Sequence, residues 1–559
     1  MDYLTTPELI DLDSQIDEHV KSFRLLSRPR DEAVLHLLSY FDLWIEDIGK
    51  KPDINRRNGY QVSYEALNHS IRWVFKYCVV SSNNKNIVLE QEGLNEVSEI
   101  FGEAMNYQEL WVQMSLLHKG RNVVSKRGDN VFWVASTSTE KKEIDIARML
   151  LTHADDPRTI EDTYVTNKNT ETYVQNKLKI GSKSSATMRY SFPSEVFSLV
   201  KDLVTKRHLR KWTMDKTWNL GGYTYEQLKE FWDTLNSLSI IHAFAARTLR
   251  KTSKRLNSLV KIQLLEDWVN EISKWSKLSR SVVSQIIIDT IYDTSLHQEG
   301  AKKLHVMYQP FFRLEDNRLA LSGTIVQITE IERNVWDLIS RIRPQIHDQL
   351  KNLKEGYWIR QIIEKTKELN IKCVPDIKFK FEDKNGQIDL IMIDHKLNFG
   401  LICELKWLTP AASVEGVAYN DKQLEKGITQ AELAARWVDS KISELSVKVG
   451  ISIKELDKIE WKPLVIGKNS LPSGHVKNED VPIINELLLM WILDKPHYKD
   501  LRSLWCVANT RGYLPIEGKH FQNTSMQVEW GSLRFVLHDV GFNVLKPWRP
   551  ETDIIFPDS

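Results

Sequence analysis

Cysteine is scarce in this chain: Cys78, Cys373, Cys403 and Cys506 are the only four in 559 residues, and they are widely scattered. That spacing excludes a disulfide framework and a cysteine-based zinc site, and it fits a reducing, cytoplasmic setting. Long hydrophobic runs are missing too. The longest candidate, Ile483 to Leu493, carries Asn485 and Glu486 and is too short to span a bilayer, so no membrane partner is expected. The first twenty residues, MDYLTTPELIDLDSQIDEHV, are acidic and amphipathic, unlike a signal or transit peptide. Neither sign of charge dominates. The 76 Lys and Arg against 75 Asp and Glu leave a formal charge of +1, so any basic surface is local and balanced by acid elsewhere. No helix-turn-helix, zinc-finger or glycine-rich phosphate loop stands out, which argues against ATP-driven translocation. His208, His305 and His475 have no partners at ligand spacing and read as structural or surface residues.

What is present is the composition of a globular protein, 42% apolar and 27% charged. Length alone suggests about three or four domains. Residues 1–151 are mainly helical in pattern: Val34, Leu37, Leu38 and Phe41 recur at helical spacing, as do Val97, Ile100, Phe101, Met105, Leu110 and Met114. Residues 152–192 are polar and read as a long loop or boundary. Residues 193–300 form a second helical, tryptophan-rich segment. A hairpin over 301–335, QPFFRL–EDN–RLALS, leads into the next domain. One helix is expected from Glu330 to Leu350, interrupted near Pro344, and another from Glu355 to Leu369. Residues 336–495 read as a mixed α/β domain, and 496–559 as an extension packing on it.

Within that domain the order from Glu355 to Leu493 is helix, strand, strand, strand, helix, strand, helix, which implies a mixed sheet flanked by helices. Two β-prone runs, Ile388–Ile393 and Phe399–Trp407, flank the turn-like Asp394–Asn398. If Ile393 pairs with Gly400, Asp389 falls opposite Glu404, on one face of the hairpin, and Lys406 shares that face two residues on. Two carboxylates and an amine gathered this way suit a hard divalent cation beside a water that must lose a proton. The strand that carries them, LICELKWL, is otherwise apolar, and buried charge there is costly without a partner or metal. Cys403, directly before Glu404, alternates away and reads as a small core residue.

This order and these residues resemble the PD-(D/E)XK nuclease superfamily. The resemblance covers about 150 residues and implies an α/β restriction-endonuclease-like core, which here follows the mainly helical N-terminal region read from periodicity. It matches Asp389, Glu404 and Lys406 to the family's acidic pair and lysine. It makes Glu364, in GYWIRQIIEKTKEL, the likeliest glutamate of the first helix, and Gln430, in YNDKQLEKGITQAELA, the glutamine of the helix after the hairpin, with Gln423 as the competing glutamine. Pro375–Asp376 is a literal alternative for the first acid. Asp389 is preferred, because a whole strand separates Asp376 from Glu404.

The implied chemistry is metal-dependent phosphodiester hydrolysis. Asp389, Glu404 and the main-chain carbonyl of Leu405 would hold Mg²⁺, for which Mn²⁺ can substitute, and Lys406 would orient or deprotonate the attacking water. Nucleic acid contacts are expected from two basic stretches, Lys206, Arg207, Arg210 and Lys211, and Arg247, Arg250, Lys251, Lys254 and Arg255. The second stretch places its cations along one helix face. DNA is the expected substrate and RNA the alternative; a catalytically silent binding scaffold is the reading from a different class. A large arm attached to a single nuclease domain also resembles restriction or antiphage defence effectors. It leaves a homodimer or a partner protein as further expectations.

Overall fold

The computed structural model describes residues 4–48, 53–80, 89–128, 130–137, 144–148, 168–181, 188–208, 214–252, 260–293, 305–329, 331–408, 414–476, 480–494, 500–542 and 548. The architecture is mixed α/β, with four sheets set among many helices. No helix among the described residues is long and apolar enough to cross a membrane.

The N-terminal helices Arg30–Ile48, Asp53–Tyr77 and Gln91–His118 pack together around Phe41, Leu67, Val97 and Phe101. Their partner is a sheet assembled from both ends of the chain. Strand Val131–Ser136 pairs in parallel with Leu533–Phe542, which pairs in turn with Phe521–Trp530. Trp530 is buried against Phe23, Trp73 and Tyr107, and its indole donates to the Ile16 carbonyl at 3.0 Å. Residues 496–559 therefore do not act as one unit. Leu501–Thr510 packs on the α/β domain, whereas 521–542 completes the N-terminal layer.

The middle of the chain departs from the helical pattern read in it. A short sheet joins Val260–Leu264, Arg318–Ser322, Phe311–Arg313 and Ile291–Tyr292, so the hairpin near 311–322 gains a strand on each side. Its second strand stops where Ser322 caps the helix Gly323–Ile328 by accepting from the Ile325 N–H. Within 152–192, Lys168–Lys177 is helical, and Lys179–Ile180 pairs with Tyr190–Ser191.

The α/β domain is built on a five-stranded sheet. We label its strands β1 (Lys372–Phe381), β2 (Lys384–Asp394), β3 (Phe399–Trp407), β4 (Glu460–Lys468) and β5 (Ile483–Asn485). Its spatial order is β5-β4-β3-β2-β1. The first three strands form an antiparallel meander, while β3, β4 and β5 run parallel. The helices are α1 (Pro344–Lys367), α2 (Val414–Ser440), α3 (Glu486–Asp494) and α4 (Leu501–Thr510). Helix α2, with two short helices, spans the crossover from β3 to β4 and covers one face of the sheet; Trp437 and Val438 meet Ile391, Ile393 and Ile402. Helices α1, α3 and α4 cover the other face, where Trp358, Ile362, Leu488 and Leu504 meet Leu390, Cys403 and Leu464.

Two boundaries shifted for local reasons. Helix α1 begins at Pro344 and runs unbroken through 355, because proline is well tolerated in a first helical turn and Arg343 breaks the chain before it with φ −144. The last helix of the expected order begins only after strand β5, and the Asn485 side chain accepts from the Leu487 N–H at the entry to α3.

Candidate metal centre

The β2–β3 register is the one expected from spacing: Ile393 faces Gly400, and the ladder runs to Leu390 opposite Cys403. There the two strands part. Beyond Cys403, β3 continues to Trp407 paired only with β4, while β2 continues beside β1. The Leu405 N–H, which a longer ladder would have used, instead donates to the Asp389 carboxylate at 2.8 Å. The first acid is thus fixed to the strand that carries the second.

Strict two-residue alternation fails at Asp389. Ile388 and Ile391, three residues apart, both enter the core under α2, and so do Val374 and Ile377 on the neighbouring strand. Between Val374 and Ile377 lies Asp376, with φ 53, in the left-handed region. The β1–β2 register resumes on both sides without an extra residue, but Asp376 and Asp389 are not themselves paired. Asp389 sits at the point where the ribbon reverses its faces.

Around this point the charges are crowded and buried. Glu404 is 4% exposed. The Asp389 and Glu404 carboxyls lie within hydrogen-bond reach of each other. Burial, then the Asp389 charge, pushes Glu404 up to about 7, although Lys406 pulls the other way. Burial also raises Asp389, and Asp376 adds to that, while the Leu405 N–H and Lys406 oppose it. Lys406 Nζ lies 2.5 Å from Glu404 Oε1 and 2.9 Å from Gln430 Oε1. The close approach of α2 to Lys406 depends on Gly427, where a Cβ would stand 3.1 Å from Lys406 Cε. Asp389, Glu404, Lys406 and Gln430 therefore meet in one place, with Leu405 between the two acids. Comparison with known proteins adds nothing to this geometry. No family profile, curated protein or solved structure matches the chain.

Other expected residues lie elsewhere. Glu364 points away from the sheet: its side chain is 70% exposed and bonded to Lys367. The inward stripe of α1 is Lys354, Trp358 and Ile362, with Glu355 beside it and Glu364 on the far side. Glu355 is the glutamate of α1 that reaches the centre electrostatically. Burial raises its carboxyl, then the Asp389 charge, against the pull of Lys351 and Lys406. The signal for it in the sequence is its helical phase, three and seven residues before Trp358 and Ile362.

Of the two basic stretches, only Arg247 and Lys206 have side chains among the described residues, and both are paired. Arg247 is spent on Glu46 and Glu171, at 3.3 and 3.4 Å, and packs over Phe244. Lys206 is exposed but paired with Asp202 at 2.6 Å. Arg210, Lys211, Lys254 and Arg255, and the side chains of Arg207, Arg250 and Lys251, lie outside the described residues. Cys403 is buried, and burial drives its thiol well above the ordinary range, which removes it as a nucleophile.

Among the described residues no three His, Cys, Asp or Glu side chains converge as a metal-holding group. The donors that do converge are two carboxyls and a main-chain segment at Leu405. Two acids, Glu404 buried and Asp389 half-buried, stand against one lysine, so with both ionised the centre carries net negative charge. Oxygen donors with that imbalance fit a hard cation that retains much of its own water.

Proposed function

We propose that the protein is a metal-dependent nuclease of the PD-(D/E)XK kind, hydrolysing phosphodiester bonds, with DNA as substrate. The single observation that carries this reading is the meeting of Asp389, Glu404, Lys406 and Gln430 where β2 and β3 part. The order of elements, a helix, an antiparallel meander, a crossover helix and a parallel strand, supports a restriction-endonuclease-like core.

Asp389 and Glu404 would hold Mg²⁺ or Mn²⁺, with the Leu405 carbonyl as a third oxygen. When bound, such an ion lowers the pKa of a water and polarises a phosphate oxygen. The chain's own residues prepare that chemistry. The Leu405 N–H holds the Asp389 carboxylate in a fixed orientation, so little reorganisation is needed. Lys406, held between Glu404 and Gln430, brings an ammonium to the acid pair, where it can orient the attacking water and stabilise negative charge on phosphate. Glu355 adds negative potential from α1. Restriction or antiphage defence is the biological role we propose from the architecture, a large helical arm joined to one catalytic domain.

The test is cleavage of supercoiled plasmid with Mg²⁺ or Mn²⁺. Wild type is expected to cut. Lys406→Ala and Glu404→Ala proteins that remain folded are expected to lose about 10²–10⁴-fold in rate. Folded wild type that binds nucleic acid and cuts neither DNA nor RNA with either metal contradicts the proposal in favour of a silent scaffold.

A further inference from the structure

We propose that the outer face of the β1–β2 ribbon, residues 376–388, docks in the major groove of duplex DNA and delivers the backbone to Asp389. The inference rests on the nuclease reading and names its substrate and the surface that grips it. Three observations converge on it.

First, the ribbon is pinned on its inner face. The Phe379 ring stacks on Trp437 of α2, with centroids 4.8 Å apart and planes 18° off parallel. It also lies over Gly386, where a Cβ would come within 2.3 Å of the ring. Ile377 and Ile388 complete the buried side. Second, the register leaves a polar outer face: Lys378 opposite Gln387 and Lys380 opposite Asn385, all four exposed. The ribbon's carboxylates lie at its ends, with Glu382 and Asp383 in the turn and Asp376 at the base, and Glu382 is bonded to Arg436 of α2 at 3.1 Å. Third, the ribbon is continuous with the strand that carries the candidate centre: Gln387 lies two residues before Asp389, where the faces reverse.

The chemistry of this face selects its ligand. Lysines neutralise phosphates, and asparagine or glutamine can bond the adenine edge with both amide atoms. Residues two apart on a strand are about 6.8 Å apart, close to two base-pair steps along the duplex axis. A two-stranded ribbon fits the B-DNA major groove, about 12 Å wide, whereas the A-form groove of duplex RNA is too deep and narrow for side chains to read.

The experiment is fluorescence anisotropy in EDTA, with a labelled mixed-sequence DNA duplex, its single strand and the matching RNA duplex, from 50 to 200 mM salt. Wild type is expected to prefer duplex DNA. The Lys378→Ala/Lys380→Ala protein is expected to bind at least tenfold more weakly and to lose about two from the slope of log affinity against log salt. Lys448→Ala, on an exposed helix position, is expected to bind as wild type. Equal binding by the double variant, or a preference for single strands or RNA, overturns the proposal. The two readings fail separately. A wild type that cuts while the double variant binds normally loses the ribbon and keeps the nuclease. A wild type that binds through the ribbon and never cuts with metal keeps the surface and loses the nuclease.

Discussion

Two buried charge clusters in this molecule are built on opposite principles. Asp289, at the end of helix Arg280–Asp289, is met by the fork of Arg343 at 2.6 and 2.8 Å and by the Tyr223 hydroxyl at 2.9 Å. One acid faces one guanidinium, and the remaining acceptor capacity is filled. At the parting of β2 and β3, two acids share one lysine, and burial with mutual repulsion pushes Glu404 up to about 7. A balanced cluster holds helices in place. An unbalanced one is costly to the folded state and leaves negative charge unmet, which is the property a cation-binding centre would need.

The comparison can be broken at either end. The largest stability effect is expected at the balanced cluster. Arg343→Ala leaves Asp289 buried without its cation and is expected to cost about 3–5 kcal/mol in chemical denaturation. Metal-dependent cutting per folded molecule should not change. If cutting falls as steeply as stability, the two clusters are not independent.

At the unbalanced cluster the sign reverses. Asp389→Asn keeps an oxygen for the Leu405 N–H while removing one of two like charges. Because the folded state raises the Asp389 pKa, the ionised form is disfavoured by folding, and the neutral amide is expected to stabilise the protein by about 0.5–2 kcal/mol while abolishing cleavage. A drop in the thermal midpoint would place this acid among the structural ones. The smallest effect is expected from Gly427→Ala. Alanine in a helix gains up to about 1 kcal/mol over glycine, but the new methyl presses on Lys406. Unchanged or slightly raised stability with a several-fold slower cut sharpens the assignment of Lys406 as the group that must be positioned. An unchanged rate would mean that Lys406 moves aside freely.

The readable part of this site is local. Glu404 and Lys406 stand out because they interrupt an apolar strand, and the pairing of Ile393 with Gly400 follows from a short turn between two β-prone runs. What escaped the sequence depends on neighbours far along the chain. The reversal of faces at Asp389 is coupled to the left-handed Asp376 on another strand. The exchange of Glu355 for Glu364 follows from helical phase, since Glu355 lies seven residues before the buried Ile362, nearly two full turns, and Glu364 only two residues after it. Arg247 looked like part of a free stripe because nothing local reveals that Glu46 and Glu171 come to meet it. The pairing of 533–542 with 131–136 is the extreme case, a sheet closed by segments from the two ends of the chain.

The central claim is that the excess negative charge at Asp389 and Glu404 is a metal centre, and calorimetric titration of metal-free protein with Mn²⁺ tests it most directly. Binding at a site that Glu404→Gln and Asp389→Asn abolish, and that Glu364→Gln leaves intact, is the predicted result. Absence of binding by folded wild type, or binding unaffected by the Glu404 and Asp389 variants, would contradict the account.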